Sequence, residues 1–286
     1  MEYVPFGSTG RKVSRLGFGG APVGLKNYIK PYDPSNLIDR DAAVAAVGRA
    51  VELGVTYFDT AAGYGDGESE EIFREGLGDA TGLFLATKCT PKDARGVRRS
   101  VEDSLRRLQR DSLDLLQVHG SRYESSDIEV VLAAGGMADE MAKLKEEGLV
   151  KHIGFTGEAQ DQNFYRLLDS GRLETMQVCY NLIFQHPYDP YWNSGSMVQA
   201  ESAGMGIVAM RGLTAGLFQR WFREAVPEVE IDFASVLLQF QLSNPLLDVA
   251  LIGMRSPAEV ERNVSVANNV DGRIDLRSVH EHYPHT

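Results

Sequence analysis

Residues 83–119 read LFLATKCTPKDARGVRRSVEDSLRRLQRDSLDLLQVH. LFLATK (83–88) is a short apolar run, VRRSVEDSLRRL (97–108) is a helical pattern, and SLDLLQVH (112–119) is a second apolar run. Two strands joined through a helix lie parallel, because the chain must cross back before the second strand begins. Apolar residues on both faces of such runs suit a sheet covered on both sides.

The same unit recurs on either side of this stretch. Upstream, LGFGG (16–20) precedes a helix over about 40–53, where Ala42, Ala43, Ala46, Val47, Ala50 and Val51 fall at helical spacing. TYFDT (56–60) precedes a helix near 68–77. Downstream come a helix near 131–147, KHIGFTG (151–157), a helix near 161–170, TMQVCYN (175–181) and a helix near 195–203. GIVAMRG (206–212), DFASVLLQFQL (232–242), VALIGM (249–254) and SPAEVERNVSVAN (256–268) complete the series. About eight strand–helix units in 286 residues predict an α/β fold of the (β/α)8 TIM-barrel type. MEYVPF and RKVSRL flank Gly7-Ser8-Thr9-Gly10, which predicts a β-hairpin over 1–15. An open doubly wound sheet would carry G-x-G-x-x-G after its first strand. Neither Gly17-Phe18-Gly19-Gly20-Ala21-Pro22 nor Gly63-Tyr64-Gly65-Asp66-Gly67 has that spacing, and there is no Walker-type loop. One domain spanning 1–286 is expected.

The formal net charge is 29 − 40 = −11, which argues against a nucleic-acid or anionic-membrane partner. The short basic clusters Arg98-Arg99 and Arg106-Arg107 read as solvated helix faces. Two cysteines, Cys89 and Cys179, with no CxxC pair, fit a reducing compartment and exclude the usual zinc and iron–sulfur spacings. Both read as packing residues. MEYVPFGSTG is not a signal pattern, and no apolar run approaches the roughly 18 residues of a membrane span. A cytoplasmic location follows as the expectation. His280, His282 and His285 read as a polar tail, and no metal is expected. Trp192 and Trp221 lie in long connections, as pocket walls or loop anchors.

Chemistry gathers at the carboxyl ends of predicted strands, the face that carries active sites in barrels. Asp59 ends TYFDT, and Tyr64 follows in the next loop. Lys88 ends LFLATK, and His119 ends DLLQVH. A phenol titrates near about 10, and a neighbouring ammonium favours its ionised form. Lys88 is placed to do this for Tyr64, with Asp59 holding Lys88 charged. His119 is placed to donate a hydrogen bond to a carbonyl oxygen, or to relay a proton at low pH.

TYFDTAAGYGDGESE (56–70), LFLATK (83–88) and DLLQVH (112–119), in that order, resemble the aldo-keto reductase superfamily, and the resemblance extends over nearly the whole chain. It implies a barrel whose bottom is closed by the N-terminal hairpin. It also implies a nicotinamide cofactor stretched across the carboxyl face, and a catalytic tetrad of Asp59, Tyr64, Lys88 and His119 with Tyr64 as general acid/base. Thr156 and Gln177 match positions that contact the nicotinamide carboxamide, while Gly157 stands where Asn is common. Met210 stands where an aromatic ring often stacks. Arg211, Gly212 and Leu213 match the pyrophosphate loop. Arg255, Ser256 and Asn263 resemble residues that hold the 2′-phosphate and adenine. Glu259 stands where some members place Arg, and a carboxylate there suits a free ribose 2′-hydroxyl.

The expected function is NADP(H)-dependent reduction of small aldehydes or ketones to alcohols. The alternative is an NAD(H)-dependent sugar or alcohol dehydrogenase of the same fold, favoured by Glu259 and by GFGGAPVGLKNY (17–28), which is similar to sugar-oxidising members. A third reading, from another class, is a cofactor-sensing regulatory subunit. Small-molecule carbonyl or alcohol substrates are the expected partners. The connections 21–39, 120–130 and 213–230 and the tail would set substrate choice, and so short a tail predicts an open pocket.

Overall fold

The computed structural model describes residues 1–228 and 231–278. The tail histidines His280, His282 and His285 lie outside the described residues. β1 (Tyr3–Pro5) and β2 (Lys12–Ser14) pair antiparallel as the expected hairpin. Eight strands then form a closed barrel: β3 (Leu16–Gly19), β4 (Tyr57–Asp59), β5 (Phe84–Cys89), β6 (Leu113–Val118), β7 (Val150–Gly157), β8 (Thr175–Cys179), β9 (Gly206–Met210) and β10 (Val249–Gly253). Each pairs parallel with its neighbour, and β10 closes onto β3. This is the (β/α)8 barrel predicted.

Side chains alternate in and out along each strand. Tyr57, Phe84, Ala86, Leu115, Val208, Val249 and Leu251 point inward and form an inner cluster with Phe6 and Val13 of the hairpin. Phe6 meets Tyr57 and Phe84 edge-on, at ring-centre distances of 5.5 and 5.1 Å, so the hairpin plugs the barrel bottom with an aromatic ring. Arg11 fastens it there through Asp114 at 2.9 Å and the Leu83 carbonyl at 3.2 Å. The opposite strand faces pack under the helices as a second, larger core.

The helices follow the apolar periodicity: α1 (Ala21–Gly24), α2 (Leu37–Glu52), α3 (Glu68–Leu77), α4 (Ala94–Leu108), α5 (Ser125–Leu132), α6 (Met137–Glu146), α7 (Gln162–Leu168), α8 (Ser196–Ser202), α9 (Leu217–Ala225), α10 (Phe233–Leu242) and α11 (Pro257–Asn268). Three details depart from the reading of the sequence. The helix expected near 131–147 is two helices, broken where Gly135 turns left-handed at φ 74°. α5 starts early, inside a stretch read as loop, because Glu124 and Asp127 cap its first turn reciprocally. α9 occupies part of the connection 213–230 and buries none of its residues.

The arginine clusters are not simply solvated faces. Arg107 donates to the fully buried Glu70 at 2.6 Å, and Glu70 also accepts from Thr87 at 2.7 Å. Arg98 bridges Glu140 and Glu147 at 2.7 Å each. These pairs tie α4 to α3 and α6. Among the described residues no helix is long and apolar enough to cross a membrane.

Candidate active site

The inner cluster fixes the parity of every strand. Two residues beyond Tyr57, Ala86 and Leu115 come Asp59, Lys88 and Gln117, which therefore also point into the barrel. Two beyond Gln117 is His119, just past the end of β6. A period of two thus delivers three of the four expected residues to one place from strands far apart in sequence. Tyr64 arrives on the loop between β4 and α3.

The Lys88 ammonium hydrogen-bonds the Asp59 carboxylate, donates to the Thr60 carbonyl at 2.8 Å and lies 3.5 Å from the Tyr64 hydroxyl. Asp59 and Lys88 are each 1% exposed. Removing one member of such a buried pair costs about 3–5 kcal/mol, because the other is left charged in a dry site. The His119 ring meets the Tyr64 ring edge-on at 5.4 Å.

Burial dominates the electrostatics. It raises the Asp59 carboxyl, against the charge and hydrogen bonds of Lys88, Gln117 and Gln177. Burial also works against a charged Lys88, but Asp59 and Tyr64 outweigh it and the ammonium titrates above its ordinary range. Burial raises Tyr64 too, with Lys88 opposing. The simple expectation that Lys88 lowers the phenol is therefore half of the balance. Lys88 restrains a rise caused by desolvation, and the phenol keeps its proton near neutrality. His119 is pushed down to about 3 by burial and by the Lys88 charge. A neutral imidazole still donates one N–H, but it does not carry an extra proton in the mildly acidic range, so the relay suggested for low pH is not supported.

All four residues line one cavity of about 460 Å³, walled also by residues of the 21–30, 120–121 and 211–219 connections and by β10 and α11. Nine of the ten expected cofactor positions line it: Thr156, Gln177, Met210, Arg211, Gly212, Leu213, Arg255, Glu259 and Asn263. Ser256 does not; its hydroxyl caps α11, accepting from the Glu259 amide at 3.3 Å. The Thr156 hydroxyl is engaged with the Gly120 carbonyl and amide at 2.8 and 3.0 Å. At Gly157 a Cβ would lie 2.6 Å from the Phe164 ring, so a larger side chain there would have to displace that ring. The Gln177 amide nitrogen is 3.6 Å from the Met210 sulfur and its oxygen is buried without a partner.

Farther along the wall, Arg211 takes a left-handed backbone at φ 60° and pairs with Glu158 at 2.8 Å, while Ser121 donates to the same carboxylate at 2.7 Å. At Gly212 a Cβ would fall 2.2 Å from the Gln241 oxygen, which excludes any larger residue without a shift. Arg255 donates from Nε to the Pro22 carbonyl at 2.9 Å and lies 4.4 Å over the Tyr32 ring, leaving its Nη2 buried without a partner. The Glu259 carboxylate accepts the Arg255 amide at 2.7 Å. Asn263 is buried with its oxygen unpartnered.

Gln117, Glu158, Ser121 and Arg262 were missed in the sequence. Two of them carried a usable signal. Gln117 lies two residues before His119 on one strand face, and Arg262 lies three after Glu259 on one helix face. Trp192 and Trp221 are 73% and 53% exposed and do not line the cavity. Cys89 is buried and pushed up to about 12 by burial, and Cys179 is likewise raised to about 11, as inert packing residues are. Among the described residues no group of three His, Cys, Asp or Glu side chains is placed to hold a metal ion.

The chain is 29% identical to L-galactose dehydrogenase of Arabidopsis thaliana, across 95% of this chain and 89% of the relative. Its fold matches aldo-keto reductase AKR11C1 of Bacillus halodurans with a TM-score of 0.75 and 20% identity, covering 98% of this chain and 96% of the other. It also matches an aldo/keto reductase of Klebsiella pneumoniae, solved in complex with NADP and acetate, with a TM-score of 0.69 and 24% identity, covering 94% and 90%. The family model described as the aldo/keto reductase family matches residues 15–230. A match over most of the sequence, on a closed barrel with a plugged bottom, makes this chain an oxidoreductase of the aldo/keto reductase family.

Proposed function

We propose that the chain, acting as one unit over 1–286, reduces small aldehydes or ketones to alcohols with NADP(H), and that Tyr64 delivers the proton. The observation that carries this reading is the hydrogen-bonded series from Asp59 through Lys88 to Tyr64, opening with His119 onto a single cavity.

The residues present suit a nicotinamide dinucleotide. The unpartnered oxygens of Gln177 and Asn263 and the unpartnered Nη2 of Arg255 are polar groups awaiting a ligand, spaced along one wall. Gln177 would hold the nicotinamide end, Arg211 the diphosphate, and Arg255 with the exposed Arg262 the phosphate-bearing ribose. The cofactor, when bound, supplies a hydride to the carbonyl carbon. His119, held neutral, donates its N–H to the carbonyl oxygen and orients it. Tyr64 keeps its proton until negative charge builds on that oxygen, then gives it up. Lys88 stabilises the phenolate left behind, and Asp59 keeps Lys88 charged and aimed. The NADP complex of the Klebsiella pneumoniae protein supports the choice of cofactor.

A second reading, oxidation of a sugar with NAD(H), is favoured by the similarity to L-galactose dehydrogenase and by Glu259 on the cavity wall. The same four residues serve it in reverse. Fluorescence titration with NADPH and NADH, followed by turnover on aldehyde and sugar panels, separates the two. Tighter NADPH binding with aldehyde reduction supports the first reading. Tighter NADH binding with sugar oxidation replaces it by the second.

A further inference from the structure

Asp59 is the least solvated carboxylate of the site, and its two oxygens are held differently. One takes the Lys88 ammonium. The other accepts the Gln117 side-chain amide at 2.9 Å. Gln117 is fully buried on β6, two residues from His119, and its own carbonyl oxygen finds no partner. The orientation of the amide is not arbitrary, because an ionised carboxylate only accepts and the nitrogen must face it. The unsatisfied carbonyl is the cost of that choice, at the level of Lys88 and just above the apolar inner cluster that holds Leu115 and Leu251. A side chain of similar volume without polar atoms would fill the space without leaving an orphaned oxygen, so the amide is there for the carboxylate.

We infer that Gln117 is a positioning residue, which keeps Asp59 ionised and fixed so that Lys88 stays charged beneath Tyr64. The inference rests on the reading of Tyr64 as proton donor. Lys88 is the charged group acting on Asp59. Tyr57, Tyr64 and the neutral His119 are the other titratable groups about the pair, and Gln177 reaches the carboxylate from β8. Without the Gln117 donor, a carboxylate in so dry a place takes up a proton at higher pH. Lys88 then loses its counter-charge, and the phenolate at Tyr64 loses its support.

The test is the pH profile of kcat for NADPH-driven aldehyde reduction by native protein, Gln117→Met, Gln117→Glu and Tyr64→Phe, with NADPH affinity and thermal unfolding measured alongside. Gln117→Met is expected to move the acid limb up by about one pH unit, a tenfold loss on the acid side, with NADPH affinity unchanged. Gln117→Glu is expected to move the alkaline limb down instead. A protonated Glu still donates to Asp59, but as pH rises it too loses its proton, the two carboxylates repel one another and Asp59 no longer holds Lys88 in place. Should Gln117→Met fail to fold, the direction of the Gln117→Glu shift decides. A native-shaped profile in both variants, or a uniform loss of kcat without a shift, overturns the inference while an inactive Tyr64→Phe leaves the site reading standing. Native turnover in Tyr64→Phe overturns the site reading itself, and this inference with it.

Discussion

The Lys88 ammonium stands 3.5 Å from the Tyr64 hydroxyl, with its remaining hydrogen bonds committed to Asp59 and to the Thr60 carbonyl. An ammonium has three N–H bonds, and all three are directed here. The cation is therefore held in place relative to the phenol.

Lys88→Met removes that cation and leaves Asp59 charged in the barrel. Stability is expected to fall by about 3–5 kcal/mol, and turnover by about a hundredfold or more. Adding Asp59→Leu should restore much of the stability and none of the turnover. Thermal unfolding and steady-state rates on the single and double variants check both. Restored turnover in the double variant would remove Lys88 from the chemistry.

His119 gives stability a pH dependence of definite sign. Its folded value of about 3 lies below the ordinary value of 6.5. Between those values the unfolded chain binds a proton that the folded chain refuses. Stability is full above the upper value and declines as pH falls through the window, by at most about 1.4 kcal/mol per unit. The unfolding temperature of His119→Asn, followed from neutral to acid pH, should decline less steeply than that of the native protein. Equal slopes would assign the acid sensitivity elsewhere.

Arg211 is half of an ion pair with Glu158 at the cavity wall. The pair itself contributes at most about 1 kcal/mol to stability, being partly exposed. Arg211→Ala should therefore unfold near the native temperature. It should bind NADPH about tenfold more weakly if the guanidinium turns to the diphosphate. Unchanged affinity by fluorescence titration would place Arg211 outside the cofactor site.

Phe6 carries the plug at the barrel bottom, away from the catalytic face. Phe6→Ala is expected to cost about 3–5 kcal/mol of stability through the cavity it leaves. At a temperature where the variant stays folded, kcat should match the native value. Loss of kcat in a fully folded variant would show that the plug reaches the site.

The barrel was legible because its strands are short apolar runs with the turns and helices between them regular enough to count. The ends of those runs also carried the charged residues, and parity along β4, β5 and β6 did the rest. The split between α5 and α6 was hidden because Ala133-Ala134 continue a helical pattern in the sequence, whereas in the structure the backbone leaves the helix at Ala133 (ψ 153°) and turns left-handed at Gly135. Gln117 was hidden because a polar residue inside a strand reads as an irregularity until its partner is seen. The balance at Tyr64 was half legible. Pairing of a phenol with an ammonium follows from sequence order, but the desolvation that outweighs it depends on burial. Ser256 and Glu259 were read for a ligand, and in the structure their side chains first serve the start of α11.

Turnover of native protein and of Tyr64→Phe, compared with saturating NADPH and a small aldehyde, tests the assignment of Tyr64 most directly. Loss of the hydroxyl should lower kcat by about two orders of magnitude or more while NADPH affinity is unchanged. A Tyr64→Phe protein that reduces the aldehyde as fast as the native one would contradict the assignment and leave the Asp59–Lys88 pair without a catalytic partner.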